Sequence, residues 1–322
     1  MDGPSILIVG SANVDLVVTA ERLPKPGETI LGHHFQTFSG GKGANQAVAA
    51  ARAGGRVAMI ARVGTDGFGK RLVGDLAASG VDTSEIRYVD EPSGVALIVT
   101  AANGENAIVV APGANNRLDA AAIDEVMSKM TQVTYVLAQL ETPMDGVIRA
   151  AQRARNMGAA FVLDPAPAQP LSKQLLELTD WITPNEREAS TLLGLEGKAL
   201  VPFEAVRALQ AMGPRNVVLK MSSKGAIVLA GNADPIHVRP VPVTAVDTTA
   251  AGDAFNGAFA VALSEGRGPV EAAEFAAAAA ALSVTRRGAQ PSMPTRGEID
   301  AITQNDHSSE LMVRDPSGES RV

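Results

Sequence analysis

Ile6-Leu7-Ile8-Val9 is a run of four apolar residues halted by Gly10, too short for a helix and with no polar residue to turn toward water. It reads as a strand buried on both faces, the kind found inside parallel sheets. Runs of the same character recur over residues 58–63, 135–139, 161–164, 181–183, 217–220 and 226–230, each bounded by turn residues. The longer Ala- and Leu-rich stretches between them predict helices over 43–53, 69–79, 120–129, 144–157, 186–193, 202–212, 251–264 and 270–286. Strand and helix in alternation define an α/β fold: a mostly parallel central sheet flanked by helices, with ligands at the carboxyl ends of its strands.

Two regions interrupt that rhythm. Residues 14–20 and 30–38 flank the turn Pro24-Lys25-Pro26-Gly27, and 94–100 faces 107–111 across Asn103-Gly104, a strong hairpin signal. These predict a small antiparallel β lid contributed by about 14–38 and 94–111, appended to one large unit over 1–302. The remainder, 303–322, is polar and rich in Ser, Gly and charge, and reads as a disordered tail.

Composition narrows the function. The 322 residues are 46% hydrophobic and 20% charged, as in a globular protein with a sizeable core. Only 3% are aromatic and the net charge is −7, so neither base-stacking platforms nor a basic surface favours nucleic acid as a partner. There is no cysteine, which removes disulfides and thiolate chemistry and is compatible with a reducing compartment. The first apolar run is too brief for a signal peptide or membrane span, and the expected setting is soluble and cytoplasmic.

Asp247-Thr248-Thr249-Ala250-Ala251-Gly252-Asp253 lies where a helix starts. Its small residues let backbone N–H groups approach a phosphate, and the helix N-terminus adds positive potential there. The Asp253 carboxylate could then take the proton of an attacking hydroxyl, as phosphoryl transfer requires. Read alone, Asp253 is equally a helix-start residue favoured by the dipole. A second Gly-rich turn, Ser39-Gly40-Gly41-Lys42-Gly43-Ala44-Asn45, also enters a helix and suits close backbone contact with a polar ligand.

Together, Gly40-Gly41-Lys42-Gly43-Ala44-Asn45-Gln46-Ala47 and Asp247–Asp253 resemble the two signatures of the ribokinase-like carbohydrate kinases. The resemblance runs on through Asn13-Val14-Asp15, Asn115, Gln139-Leu140-Glu141, Pro165-Ala166-Pro167-Ala168, Asn185-Glu186 and Thr285–Ser292, covering roughly residues 5–302. It implies ATP-dependent phosphorylation of the 5-hydroxyl of D-ribose, or the same chemistry on deoxyribose, another sugar or a nucleoside; a non-catalytic sugar-binding protein of the same fold is a remote alternative, which Gly252 and Asp253 speak against. Asp253 would be the base and Ala250, Ala251 and Gly252 the anion hole. The sugar would be held by Asn13, Asp15, Gly41, Lys42, Asn45, Glu141 and Asp253.

For ATP the resemblance implies Asn185, Met221, Ser222, Ser223, Gly225, Ala226, Gly252 and Ala277. Magnesium would be organised by Asn185 and Glu188, and a potassium activator by Asp247, Thr249, Ser283, Arg286, Gly288 and Ser292. It also implies a homodimer through the lid. Three positions depart from the family: Ser222 where glycine is usual, Asp164 where asparagine is common, and Ala277 where a larger residue often lies beside adenine.

Other features yield to simpler readings. Gly64-Thr65-Asp66-Gly67-Phe68-Gly69-Lys70 approaches a P-loop, but Arg71 replaces the required hydroxyl, leaving a turn entering a helix. No G-x-G-x-x-G follows the first strand, so the dinucleotide fingerprint is missing. His33, His34, His237 and His307 lack metal spacing, with His33 and His34 expected on opposite faces of a strand; Trp181 is expected in the core and Arg286-Arg287 at a helix C-terminus.

Overall fold

The computed structural model describes residues 5–303. Its strands are β1 (Ile6–Val9), β2 (Asn13–Ala20), β3 (His34–Gly40), β4 (Val57–Gly64), β5 (Ile86–Val89), β6 (Gly94–Ala101), β7 (Asn106–Ala111), β8 (Tyr135–Ala138), β9 (Ala160–Leu163), β10 (Trp181–Ile182), β11 (Asn216–Lys220), β12 (Ala226–Ala230) and β13 (Ile236–Val238). The helices are α1 (Lys42–Arg52), α2 (Gly67–Ala78), α3 (Ala120–Met127), α4 (Met144–Met157), α5 (Lys173–Leu178), α6 (Glu186–Leu192), α7 (Pro202–Ala211), α8 (Ala251–Ser264) and α9 (Pro269–Ser283).

Among the described residues the large sheet runs β13-β12-β11-β10-β9-β8-β1-β4-β5. It is parallel from β5 to β11, and β12 and β13 close it antiparallel. Alternation along β1 divides the core: Ile6 and Ile8 pack beneath α1, α8 and α9, whereas Leu7 and Val9 face α3 and α4. The all-apolar run is thus a consequence of cover on both faces. Trp181 belongs to this core, edge-on to Phe259 with ring centroids 5.1 Å apart.

The small sheet runs β3-β2-β6-β7. It consists of two antiparallel pairs, β2 with β3 and β6 with β7, joined at the centre by a parallel pairing of β2 with β6. β7 is exposed along its whole length, and Phe35 and Val109 are 63% and 65% exposed.

Several local expectations shift. Residues 30–33 are not strand: register pairs Thr19 with His34 and β2 ends at Ala20, so 30–32 lie beyond the partner strand and only the His33 N–H reaches it, donating to the Thr19 carbonyl at 2.8 Å. His33 therefore lies before the strand that holds His34. The 64–70 turn opens α2, whose N-cap Asp66 accepts from the Gly69 N–H. α9 stops at Ser283, and Arg286 lies past its end, ion-paired to Glu298. A helix over 296–303 takes in Thr303; the rest of the expected tail lies outside the described residues.

Candidate active site

The sites named from sequence converge at the carboxyl ends of the parallel strands. β1 leads into Gly10–Asn13, β8 into Glu141, β9 into Asp164, β10 into Asn185, and β11 ends at Lys220, while the N-termini of α1 and α8 meet in front of them. Two glycines make that meeting possible. Gly41 caps α1 at φ +88°, where a Cβ would lie 2.7 Å from the Asn13 nitrogen. At Gly257 in α8 a Cβ would lie 2.7 Å from both the Ala49 Cβ and the Gln46 carbonyl, so glycine sets how closely α8 and α1 approach.

That approach brings two amides of α1 onto the first-turn carboxylate of α8. Asn45 Nδ2 donates to Asp253 Oδ2 at 3.0 Å and Gln46 Nε2 to Asp253 Oδ1 at 3.1 Å. Gln46 Nε2 also donates to Asp164 Oδ2 at 2.9 Å, and Gln139 Nε2 fixes the Gln46 carbonyl at 2.7 Å. Asp253 is 5% exposed, and both its oxygens are oriented by donors that leave the carboxylate facing the cleft. Burial drives its carboxyl up to about 6, against the pull of the Lys42 ammonium and the two amides and with a push from Asp164. A base with that value is charged at neutral pH yet basic enough to accept a proton.

On the neighbouring side, Glu141 Oε2 accepts from Ser11 Oγ at 2.6 Å, from the Lys42 N–H at 3.1 Å and from Asn13 Nδ2 at 3.5 Å. Asn13 Oδ1 is held by Asn115 Nδ2 at 2.7 Å. Asp15 is pushed up to about 7 by burial, then by the charges of Glu141 and Asp253. Burial works against the Lys42 ammonium, but Asp253, Asp164, Glu141 and Glu188 outweigh it and hold its value above the ordinary lysine range. Carboxylates, amides and one ammonium gathered in this way are suited to a ring of hydroxyls, each of which both donates and accepts.

A cleft of about 780 Å³ opens beside Asp253. Asn185, Glu188, Ser222, Ser223, Gly225, Ala250, Ala251, Gly252, Asp253 and Ala277 line it. Met221 and Ala226 are buried behind that wall. Ala250 takes the left-handed conformation, φ 59°, to turn the chain into α8, whose first N–H groups have no intrahelical acceptors; that of Ala251 donates to the Thr248 carbonyl at 3.3 Å. Ser222 is also left-handed, φ 55°, at the position where the family usually has glycine.

Asn185 and Glu188 form a capping box: the Asn185 side chain accepts from the Glu188 N–H and the Glu188 carboxylate accepts from the Asn185 N–H, both at 2.8 Å. Burial pushes the Glu188 carboxyl up, partly offset by Lys220. Among the described residues no cluster of three or more His, Cys, Asp or Glu forms a metal cage. Carboxylates spread along the cleft, Glu188 among them, would suit a magnesium ion that keeps water and arrives with phosphates rather than one held in an all-protein cage. Farther along, Asp247 accepts from the N–H groups of Thr249 and Gly288, both at 2.9 Å, tying the loop before α8 to the segment after α9. Burial pushes Asp247 up, but these hydrogen bonds and Arg287 bring it below the usual carboxylate range. Ser283, the last residue of α9, and Ser292 in that segment are both buried.

Sequence reading did not single out Ser11, Gln46, Arg187 or Lys220 as site residues. Gln46 lies inside a quoted motif, and only the packing of α1 on α8 shows its amide on two carboxylates. Lys220 ends an apolar run and gives no periodic signal; the structure puts its Nζ 3.1 Å from Asp164 Oδ1.

A mostly parallel sheet with helices on both faces, a small second sheet, and a buried carboxylate at a helix N-terminus beside a cleft of this size define a sugar-kinase type of protein. Residues 4–296 match the model of the pfkB family carbohydrate kinases, and the chain belongs to that family. It is 44% identical over 296 residues to a ribokinase of Haemophilus influenzae, covering 91% of this chain and 96% of that one. Among solved structures it is similar to a ribokinase of Thermotoga maritima, with a TM-score of 0.86 and 38% identity over 94% of this chain and all of that one. It is likewise similar to an Arabidopsis thaliana ribokinase complexed with ribose and ATP, with a TM-score of 0.83 and 34% identity over 93% of this chain and 98% of that one. No helix among the described residues is long and apolar enough to cross a membrane.

Proposed function

We propose that this protein transfers the γ-phosphoryl group of ATP to the 5-hydroxyl of D-ribose. The observation that carries the reading is the buried Asp253 carboxylate, held by Asn45 and Gln46 beside the cleft at the start of α8. Asn13, Asp15, Gly41, Lys42, Asn45 and Glu141 hold the sugar so that one hydroxyl meets Asp253. The carboxylate accepts that proton as the oxygen attacks phosphorus, and the N–H groups of Ala250, Ala251 and Gly252 receive the charge that builds on the phosphoryl oxygens. Asn185, Ser222, Ser223, Gly225 and Ala277 face the nucleotide, with Met221 and Ala226 supporting that wall from behind.

Magnesium, when bound with ATP, neutralises phosphate charge; Glu188 and Asn185 would hold it. Potassium would take the segment of Asp247, Thr249, Ser283, Arg286, Gly288 and Ser292, a reading supported by the hydrogen bonds that draw its two halves together. The exposed apolar face of the lid, with Phe35 and Val109, supports a homodimer through that sheet. The absence of cysteine accords with a cytoplasmic setting.

The test is coupled ADP release from magnesium-ATP across ribose, deoxyribose, fructose, adenosine and no sugar, in potassium and in sodium. Release that depends on ribose and is faster in potassium is expected. Equal rates in both salts would remove potassium, equal rates with deoxyribose would remove ribose selectivity, and no release with any acceptor would remove the kinase reading.

A further inference from the structure

Lys220 leaves the carboxyl end of β11 and turns inward, its side chain only 12% exposed. Its Nζ donates to Asp164 Oδ1 at 3.1 Å, while the other Asp164 oxygen accepts from Gln46 Nε2, the same nitrogen that reaches Asp253. On its opposite side the ammonium stands over the anion-hole turn: a methyl added to Gly252 would meet Lys220 Nζ at 3.4 Å before any other atom. Lys220, Asp164, Gly252 and Asp253 all line the same cleft.

A buried ion pair is a poor stabilising device, because desolvation offsets its attraction and an apolar pair of equal volume does as well. An ammonium has three donors, and Asp164 occupies one. Its Nζ stands beside the turn at Gly252, where backbone N–H groups at the start of α8 already gather positive potential. Lys42 and Arg187 also line the cleft, but Lys220 is the cation whose ammonium stands next to Gly252.

We infer that Lys220 is a catalytic cation that donates to the non-bridging oxygens of the transferring phosphoryl group, and that Asp164, clamped by Gln46, is its positioning residue. The inference rests on the kinase reading above. In the step, the sugar oxygen forms its bond to the γ-phosphorus, the bond from that phosphorus to the β,γ-bridging oxygen breaks, and ADP leaves. The hydroxyl proton goes to Asp253, while Lys220 keeps its protons throughout and stabilises charge. Aspartate at 164, where the family commonly has asparagine, then has a reason: it faces a cation.

The alternative is that Lys220 does no more than neutralise Asp164. Two variants separate these roles, Lys220→Met and the double variant Lys220→Met with Asp164→Asn. The double variant leaves no stranded carboxylate, so it keeps the question answerable if the single one fails to fold. Expected for the double variant is a native circular dichroism spectrum, dissociation constants for ribose and ADP within about threefold of the parent, and kcat lower by about 10²–10³-fold, the loss typical of removing one charge-stabilising donor. Ethylammonium should restore part of kcat in Lys220→Ala. Turnover of the double variant within about threefold of the parent would overturn the inference, as would loss of ribose and ADP binding in proportion to kcat. A parent protein that releases no ADP with any sugar would instead refute the kinase reading.

Discussion

Gly252→Ala sets folding against chemistry at one atom. Gly252 has no positive φ, and a Cβ built on it meets nothing closer than Lys220 Nζ at 3.4 Å, an ordinary contact. The folded protein therefore has no steric need for glycine at the second position of α8. Alanine there should stabilise by up to about 1 kcal/mol, chiefly by restricting the unfolded chain. For a chain of this size that raises the melting temperature by roughly 2 °C. The methyl would, however, occupy the space through which a phosphoryl group reaches the backbone N–H groups. A displacement of about 1 Å costs on the order of 10²-fold in rate. Thermal unfolding and coupled ADP release on the same preparation read both quantities. A variant that is more stable yet slow is the expected outcome; full turnover would show that phosphate does not approach the Gly252 backbone and that the anion hole lies elsewhere.

Activity should fall with acidity through about pH 6, because Asp253 acts only when unprotonated and burial has raised its value; kcat/KM should drop about tenfold per unit well below that point. Asp253→Asn should abolish transfer at every pH while ribose binding by calorimetry largely survives, and substantial turnover would move the base elsewhere. Asp15 holds a proton in the folded chain up to about pH 7 but loses it near the ordinary 3.8 when unfolded, so its burden on stability grows as pH rises between those values. Asp15→Asn should therefore raise the melting temperature at pH 8 and leave it unchanged near pH 4. Ser222→Gly should relieve a left-handed residue, φ 55°, and stabilise by up to about 1 kcal/mol in chemical unfolding; destabilisation would show that the serine side chain contributes more than its backbone costs.

The central sheet was legible because burial on both faces writes itself as uninterrupted apolar runs, as in Ile6–Val9 and Ala226–Ala230. Peripheral pieces were not. β5 is Ile-Arg-Tyr-Val with only Ile86 buried, β13 has three residues and α5 six, too little for any period to show. The expected start of β3 at residue 30 failed because strand length depends on where the partner ends, and the partner was Ala20. The site divides in the same way. Gly41, Lys42 and Asp253 sit in Gly-rich turns that sequence displays, whereas the roles of Gln46 and Lys220 exist only after α1 meets α8 and β11 comes near β9. Asn185 and Glu188 show how one pattern serves two ends, since the residues that face the cleft are also those that begin α6.

The order of the central sheet has a consequence for how the protein is made. β1 emerges first from the ribosome, yet its two neighbours are β4 and β8, so the earliest strand waits in the nascent chain for partners synthesised long after it. Asp253 comes later still, on a helix that must dock against α1 before Asn45 and Gln46 can grip it. A chain whose translation stops short of α8 would lack not only Asp253 but also the helix that covers Ile6 and Ile8 of β1, so the first strand to be made is among the last to be buried.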